Sequence, residues 1–227
     1  MHKAKFSAIL YYVNPRGNLV FVSLFCVALR LHGQEPSATV SGADTTTETI
    51  VFLRHGEKPT AEYGQLNCQG LNRALALPKV LIENYGRAEF IFAPDPAKKI
   101  SKNGVDYSYT RALATIEPTA IELGLPVETK FGYKEVDLLE KELLAPRYER
   151  SLLFIAWEHL KLQQLVKNLV ATLGNDPAVV PPWSKDDFDS IYVVRIWTVG
   201  SKRSITFQHD YEHLNGLSTD CPDWKTN

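Results

Sequence analysis

Two arginines, two histidines and a lysine occupy positions from which they can act on one anion. Arg54 and His55 stand in "TIVFLRHGEKP", Thr49 to Pro59, where Thr49 to Leu53 is an unbroken apolar, β-branched run. Such a run forms a strand buried on both faces, and burying charge at its end is costly unless a partner waits there. A second apolar run, Ser151 to Trp157, leads through Glu158 into His159. Arg111 opens a segment of helical composition, and Lys58 follows His55 closely. Arginine's planar fork suits phosphate oxygens, helix N-termini favour anions, and Gly56 permits close backbone approach. Neighbouring positive charge lowers an imidazole's pKa and keeps it neutral, so that it can attack phosphorus.

The elements that must position these groups follow from periodicity. Leu66 to Leu81 reads as a helix with Leu71, Ala74, Leu75 and Leu81 on its apolar side and a break at Pro78. Ala88 to Pro96 reads as a second buried strand, Arg111 to Leu123 as a helix, Leu125 to Phe131 as a short strand and Val136 to Leu144 as a helix. From His159 the apolar residues Leu162, Leu165, Val166, Leu169, Val170 and Leu173 fall at helical spacing, and Gly174 stands where a C′ glycine belongs. "DSIYVVRI" and "RSITFQH" are two late strands. Alternating strands and helices imply an α/β fold, with a mostly parallel sheet covered on both faces. Ligands of such folds bind beyond the C-terminal ends of the strands. That is where Arg54, His55 and His159 lie.

On these residues the chain resembles the histidine phosphatase superfamily of phosphoglycerate mutases and acid phosphatases, over roughly Thr49 to Gln208. "LRHGEKP" is similar to that family's Arg-His-Gly opening, "LNCQGLNRA" to its Leu-Thr-x-x-Gly-x-x-Gln-Ala segment, and "TRALAT" to its Arg-x-x-x-Thr segment. The resemblance implies a phosphoglycerate mutase-like three-layer sandwich and a phosphomonoesterase working through a phosphohistidine. His55 would be the nucleophile, Arg54 and Arg111 the phosphate arginines, and His159 the second catalytic histidine. Lys58 falls where the acid-phosphatase branch has an arginine, a point charge in place of a bidentate fork. Tyr107 and Leu160 depart from the family pattern. A non-catalytic phosphate-binding module and a phosphomutase are the alternatives. The first is disfavoured because Arg54, His55, Arg111 and His159 are all present, the second because Glu128 to Arg150 is unlike the mutases.

The leaving alkoxide needs a proton, and a useful acid is a carboxyl raised by partial burial. Glu57, Glu128 and Glu158 are the candidates. Glu158 adjoins an apolar run and Trp157 and is favoured, with Glu128 as rival. No metal and no cofactor are expected, since carboxylates are not gathered at a cation's spacing. "HDYEH", His209 to His213, fits a metalloprotease pattern but sits in strand context rather than on a helix. Loops Lys98–Tyr109 and Ala178–Asp189 should set specificity, with Trp183, Tyr107 and Tyr109 as possible stacking groups. The resemblance implies a small phosphorylated substrate or a phosphopeptide.

Composition bounds the rest. The 227 residues carry a net charge of −1 and are 44% hydrophobic, which suits one domain and argues against nucleic acid or a membrane surface as partner. Residues 1–33 contain basic residues ahead of "LVFVSLFCVAL", too short a run to span a bilayer comfortably, and read as a signal-like leader. Residues 34–48 read as a flexible linker, and 49–227 as the catalytic domain. Secretion or a periplasmic location is therefore expected ahead of a cytoplasmic one. Cys68 and Cys221 would remain after cleavage, either bridged or as two free thiols.

Overall fold

A computed structural model of the chain describes residues 44–60 and 64–223. The leader and most of the expected linker lie outside the described residues. A six-stranded sheet, ordered β5-β2-β6-β1-β7-β8, is built from β1 (Thr45–Arg54), β2 (Phe90–Phe92), β5 (Val127–Glu128), β6 (Leu152–Trp157), β7 (Ser190–Val199) and β8 (Lys202–Tyr211). A separate hairpin pairs β3 (Ile100–Lys102) with β4 (Val105–Tyr107). The strands β5, β2, β6 and β1 run parallel, whereas β7 is antiparallel to both β1 and β8. The α/β expectation holds, and the two late strands form a hairpin on one side of β1.

Strand periodicity divides the core. Ile50, Phe52, Leu153, Ile155 and Trp157 face α3 (Val136–Leu143) and α4 (His159–Thr172). Val51, Leu53, Ile91, Phe154 and Ala156 face α1 (Cys68–Tyr85) and α2 (Arg111–Leu123). The runs look continuous in sequence because both faces are covered, giving three layers. Each fully buried large side chain contributes about 1.5–3 kcal/mol relative to exposure.

Several boundaries differ from the sequence reading. The linker does not reach Glu48: Thr45–Glu48 belong to β1 and pair with Ile196–Val199 of β7. Helix α1 runs through Pro78 without a break. A proline costs a helix interior about 3 kcal/mol, and burial of Leu77 and Leu81 on either side is of the size needed to offset it. Its inward face carries Gly70, Arg73, Ala74, Leu77 and Leu81, while Leu75 is half exposed. Strand β5 is shorter than expected, two residues against β2. Gly174, at φ 84°, follows the end of α4 in a conformation glycine adopts without strain. Cys68 and Cys221 are joined by a disulfide. Among the described residues no helix is long and apolar enough to cross a membrane.

Candidate active site

The parallel register puts the site together. Arg54 of β1 lies opposite Trp157 of β6, and the His55 amide donates to the Trp157 carbonyl at 2.9 Å. The residues that follow, His55 and the pair Glu158-His159, therefore leave the sheet side by side. Arg111 enters from the first turn of α2. Arg54, His55, Lys58, Arg111, Glu158 and His159 all line one cavity of about 310 Å³.

The loop after β1 is held by close packing. A Cβ on Gly56 would stand 2.9 Å from Gly70 Cα, and one on Gly70 would stand 2.2 Å from the Glu57 carbonyl oxygen. Neither position accommodates a side chain without moving backbone. The Gly56 amide donates to Thr115 Oγ1 at 2.9 Å, and that hydroxyl donates to the Arg111 carbonyl at 2.7 Å. Thr115 thus couples the His55 loop to the helix carrying Arg111, a physical reason for threonine four residues after the arginine. The Arg111 amide in turn donates to Gly64 at 2.7 Å, and the Asn67 side chain caps α1 by accepting from Gly70 N at 2.9 Å.

His55 is buried and its tautomer is set by its contacts. Nδ1 lies 2.8 Å from the Gly56 carbonyl, which can only accept, so Nδ1 carries the proton. Nε2 then accepts from Arg111 Nε at 3.1 Å and presents its lone pair to the cationic side. Burial, and then Arg111, Arg54 and His159, push the His55 pKa well below its ordinary value, opposed by the Gly56 hydrogen bond.

The two arginines are fixed differently. Arg54 Nη1 donates to the carbonyls of Asp187 at 2.6 Å and Lys185 at 2.8 Å, and the guanidinium stacks 3.8 Å from the Phe188 ring centroid. Burial pushes its pKa down to about 10, against Glu158 and the other anionic neighbours that raise it. Arg111 packs over the Tyr109 ring at 4.4 Å, and among the described residues its buried Nη1 has no hydrogen-bond partner, as is true of Arg54 Nε. Buried donors left unpaired are costly, and an anion in the cavity would satisfy them.

Glu158 lines the cavity, as expected, but its environment is not that of a resting acid. Its Oε2 caps α4 by accepting from Lys161 N at 3.0 Å, and Oε1 lies 2.6 Å from His159 Nδ1, off the line of a well-directed hydrogen bond. Burial raises its pKa, yet His159 and the Lys161 and Leu160 amides outweigh burial and hold the carboxyl below its ordinary value. The premise of a raised pKa is thereby corrected. Glu57 is bound by Arg73, and Glu128 pairs with Lys130 at 3.1 Å. Among the described residues Glu158 is the one carboxylate in the cavity wall. Lys58 feels burial, Arg111 and Arg54, all lowering its pKa.

Other expectations divide. The segment Lys98–Tyr109 does line the cavity, through Ile100, Ser101, Lys102 and Tyr107 of the hairpin. The segment Ala178–Asp189 instead grips Arg54. Trp183 and Tyr109 are buried in the core, so of the three aromatics only Tyr107 reaches the cavity. "HDYEH" lies at the end of β8, with Glu212 buried against Arg73 at 2.5 Å. No group of metal-ligating side chains gathers among the described residues.

Arg73 is the element that sequence reasoning missed. Its side chain is wholly buried and binds Glu57 at 2.8 Å, Glu212 at 2.5 Å and Asp189 at 3.4 Å. It ties α1 to the His55 loop, to the Arg54-gripping segment and to the C-terminal stretch. The signal was available: Arg73 follows Gly70 by three and precedes Leu77 by four, on the inward face of α1.

No family model matches the chain, and comparison with curated proteins finds no match. Solved structures do resemble it in architecture. A protein described as the phosphohistidine phosphatase SixA from Nakamurella multipartitia is 14% identical, covering 72% of this chain and 96% of its own, with a TM-score of 0.49. Phosphoglycerate mutase from Plasmodium falciparum is 13% identical over 80% of this chain and 98% of its own, at 0.46. A mycobacterial glucosyl-3-phosphoglycerate phosphatase in complex with inorganic phosphate is 17% identical over 72% and 95%, at 0.43. At such identities and scores the chemistry has to be read from this chain's own geometry.

Proposed function

We propose that the protein is a phosphomonoesterase of the histidine phosphatase type, using His55 as a covalent nucleophile. The observation that carries the reading is the fixed tautomer of a buried His55, with Nδ1 on the Gly56 carbonyl and Nε2 facing Arg111 Nε at 3.1 Å. As substrate binds, Arg111 turns its donors from Nε2 to the phosphoryl oxygens; Nε2, its one lone pair thus freed, attacks phosphorus, the ester P–O bond breaks, and the departing oxygen takes a proton from the Glu158–His159 pair. Water then attacks the phosphohistidine, the P–N bond breaks, and inorganic phosphate leaves while the pair regains its proton. Arg54, Arg111 and Lys58 hold the phosphoryl oxygens throughout, where charge develops in a site partly shielded from water.

Rapid quenching with labelled p-nitrophenyl phosphate should trap an acid-labile, base-stable phosphoenzyme that His55→Ala abolishes. Parent-like turnover by that variant would sink the proposal. A phosphate-binding module would instead bind inorganic phosphate and trap nothing, and a mutase would return the phosphoryl group to its organic product.

Export belongs to the same proposal. The Cys68–Cys221 bridge suits an oxidising compartment, where disulfides persist. Fractionation of cells producing the full chain tests this, and recovery in the cytoplasm would overturn it.

A further inference from the structure

The hold on Arg54 comes from backbone carbonyls. Its Nη1 donates to Asp187 at 2.6 Å, to Lys185 at 2.8 Å and to Ser184 at 3.4 Å, and the guanidinium lies against the Phe188 ring. The buried Nε has no partner among the described residues, so that side of the fork is left for an anion. Carbonyls of residues 184, 185 and 187 converge on one nitrogen only while the turn between them keeps its shape.

The Asp187 side chain supplies that shape. Oδ1 accepts from the amides of Asp189 at 2.9 Å and Ser190 at 3.0 Å, and Oδ2 accepts from Ser190 Oγ at 2.5 Å. The Ser190 hydroxyl has a single proton, which goes to Asp187, so toward His209 it accepts. His209 Nε2, 2.7 Å away, is the donor, and its ring packs against Tyr192 and Tyr211. The Trp183 indole donates to the Asp187 carbonyl at 3.2 Å. Aspartate, serine and histidine have the composition of an acyl-transfer triad, but the order is wrong for one. Serine stands in the middle, gives its proton to the carboxylate and is 1% exposed. The chain of contacts leads to Arg54 instead.

We propose that Asp187 is a positioning residue for the reaction at His55, with Ser190 and His209 behind it. The carboxylate fixes the turn, the turn fixes three carbonyls, and the carbonyls aim the Arg54 fork at the transferring phosphoryl group. The inference rests on the phosphoryl-transfer reading above. It also gives the first histidine of "HDYEH" a place in the support of a phosphate arginine.

The test is a double-mutant cycle read with p-nitrophenyl phosphate. Asp187→Ala should lower kcat/KM by about 10²-fold, the scale of a reacting group misplaced by about 1 Å. Asp187→Asn, whose Oδ1 can still accept from both amides, should recover most of that loss. In an Arg54→Ala background, Asp187→Ala should change kcat/KM by about twofold or less, because the group it positions is gone. The same factor in both backgrounds would reveal a general effect on the fold and overturn the proposal, as would parent-like activity of Asp187→Ala. Should Asp187→Ala fail to fold, Ser190→Ala takes its place, with a loss of about threefold or more, the scale of one hydrogen bond, while Arg54 is present. No loss, or equal losses with and without Arg54, again overturns the proposal. If the parent turns over no ester, the phosphoryl-transfer reading has failed. The Kd of inorganic phosphate, measured calorimetrically through the same cycle, then decides the positioning role separately. A Kd raised by the substitution only where Arg54 is present supports it, and any other pattern refutes it.

Discussion

His159 Nδ1 lies 2.6 Å from Oε1 of Glu158, the residue that caps its own helix. That contact and the Lys161 amide hold the carboxyl below its ordinary pKa, so an ionised Glu158 stands against His159 although Nδ1 is not directed at Oε1. Proton delivery to the leaving group is therefore a property of the pair. Glu158→Gln should slow hydrolysis of an alkyl phosphate by about 10²-fold or more, the usual scale of acid catalysis, yet slow p-nitrophenyl phosphate little. Equal slowing of both esters, or of neither, would remove Glu158 from this role.

Arg111 performs two tasks with one guanidinium. Nε holds His55 Nε2, and the buried Nη1 has no partner among the described residues. A lysine cannot do both, because it lacks the rigid fork. Arg111→Lys should lower kcat/KM by about 10²-fold or more, on the scale of losing one oriented donor to the transition state. Parent-like activity would show that the fork is not used on phosphate.

The legible part of this molecule was the part built from long apolar runs. β1 and β6 were readable because a strand buried on both faces has no polar interruptions, so the groups that end it stand out. Helix α2 was readable from Arg111 to Leu123, and the α4 start at His159 from the change of period. The β3–β4 hairpin was not, since three-residue strands of mixed polarity carry no period. The hold on Arg54 by the Lys185 and Asp187 carbonyls was invisible for another reason: backbone acceptors 131 and 133 residues away leave no mark in side-chain identity. At Pro78 a local rule was overridden by tertiary packing on both sides of the helix turn.

The disulfide closes a loop of 153 residues and ties the C-terminal stretch to the first turn of α1. Asn72 Nδ2 reinforces the junction by donating to the carbonyls of Ser218 at 2.9 Å and Asp220 at 2.8 Å. Loss of a native bridge costs about 2–5 kcal/mol, so Cys68→Ser should lower Tm and abolish any effect of reductant on it. A Tm insensitive both to reductant and to the substitution would show that the bridge contributes nothing to stability.

Arg73 should matter more to stability than any other charged residue outside the cavity. Removing one partner of a buried ionic cluster costs about 3–5 kcal/mol, because the charges left behind lose their compensation. Arg73→Met leaves Glu57 and Asp189 in that position, and above about pH 8 an ionised Glu212 as well. Denaturant unfolding should report a loss of this order, and above that pH Glu212→Gln in the same background should recover part of it. An unfolding midpoint equal to the parent's would refute the assignment of Arg73 as the centre of the cluster.

The same cluster sets a direction for pH. One cation serves three carboxylates, and burial pushes Glu212 up to about 8 despite the attraction of Arg73. Burial likewise pushes Glu48 up to about 7, against Arg203. In the unfolded chain both carboxyls lose their protons near the ordinary value of 4.5. Between that value and 7 to 8 the folded state therefore holds protons that the unfolded state has released. Stability contributed by these groups is fully present below about 4.5 and falls as pH rises, at up to about 1.4 kcal/mol per pH unit for each group. Above pH 8 the Glu212 contribution has been lost and its slope vanishes. Glu158 and Asp187, whose pKa values are lowered, act in the opposite sense, contributing stability that disappears only as acid protonates them. Glu212→Gln keeps the shape of the side chain without a titrating proton, so it should flatten the decline between pH 5 and 8 while leaving the acid limb in place. Unfolding free energies measured across that range for parent and variant decide the matter, and parallel curves would mean that Glu212 does not titrate there.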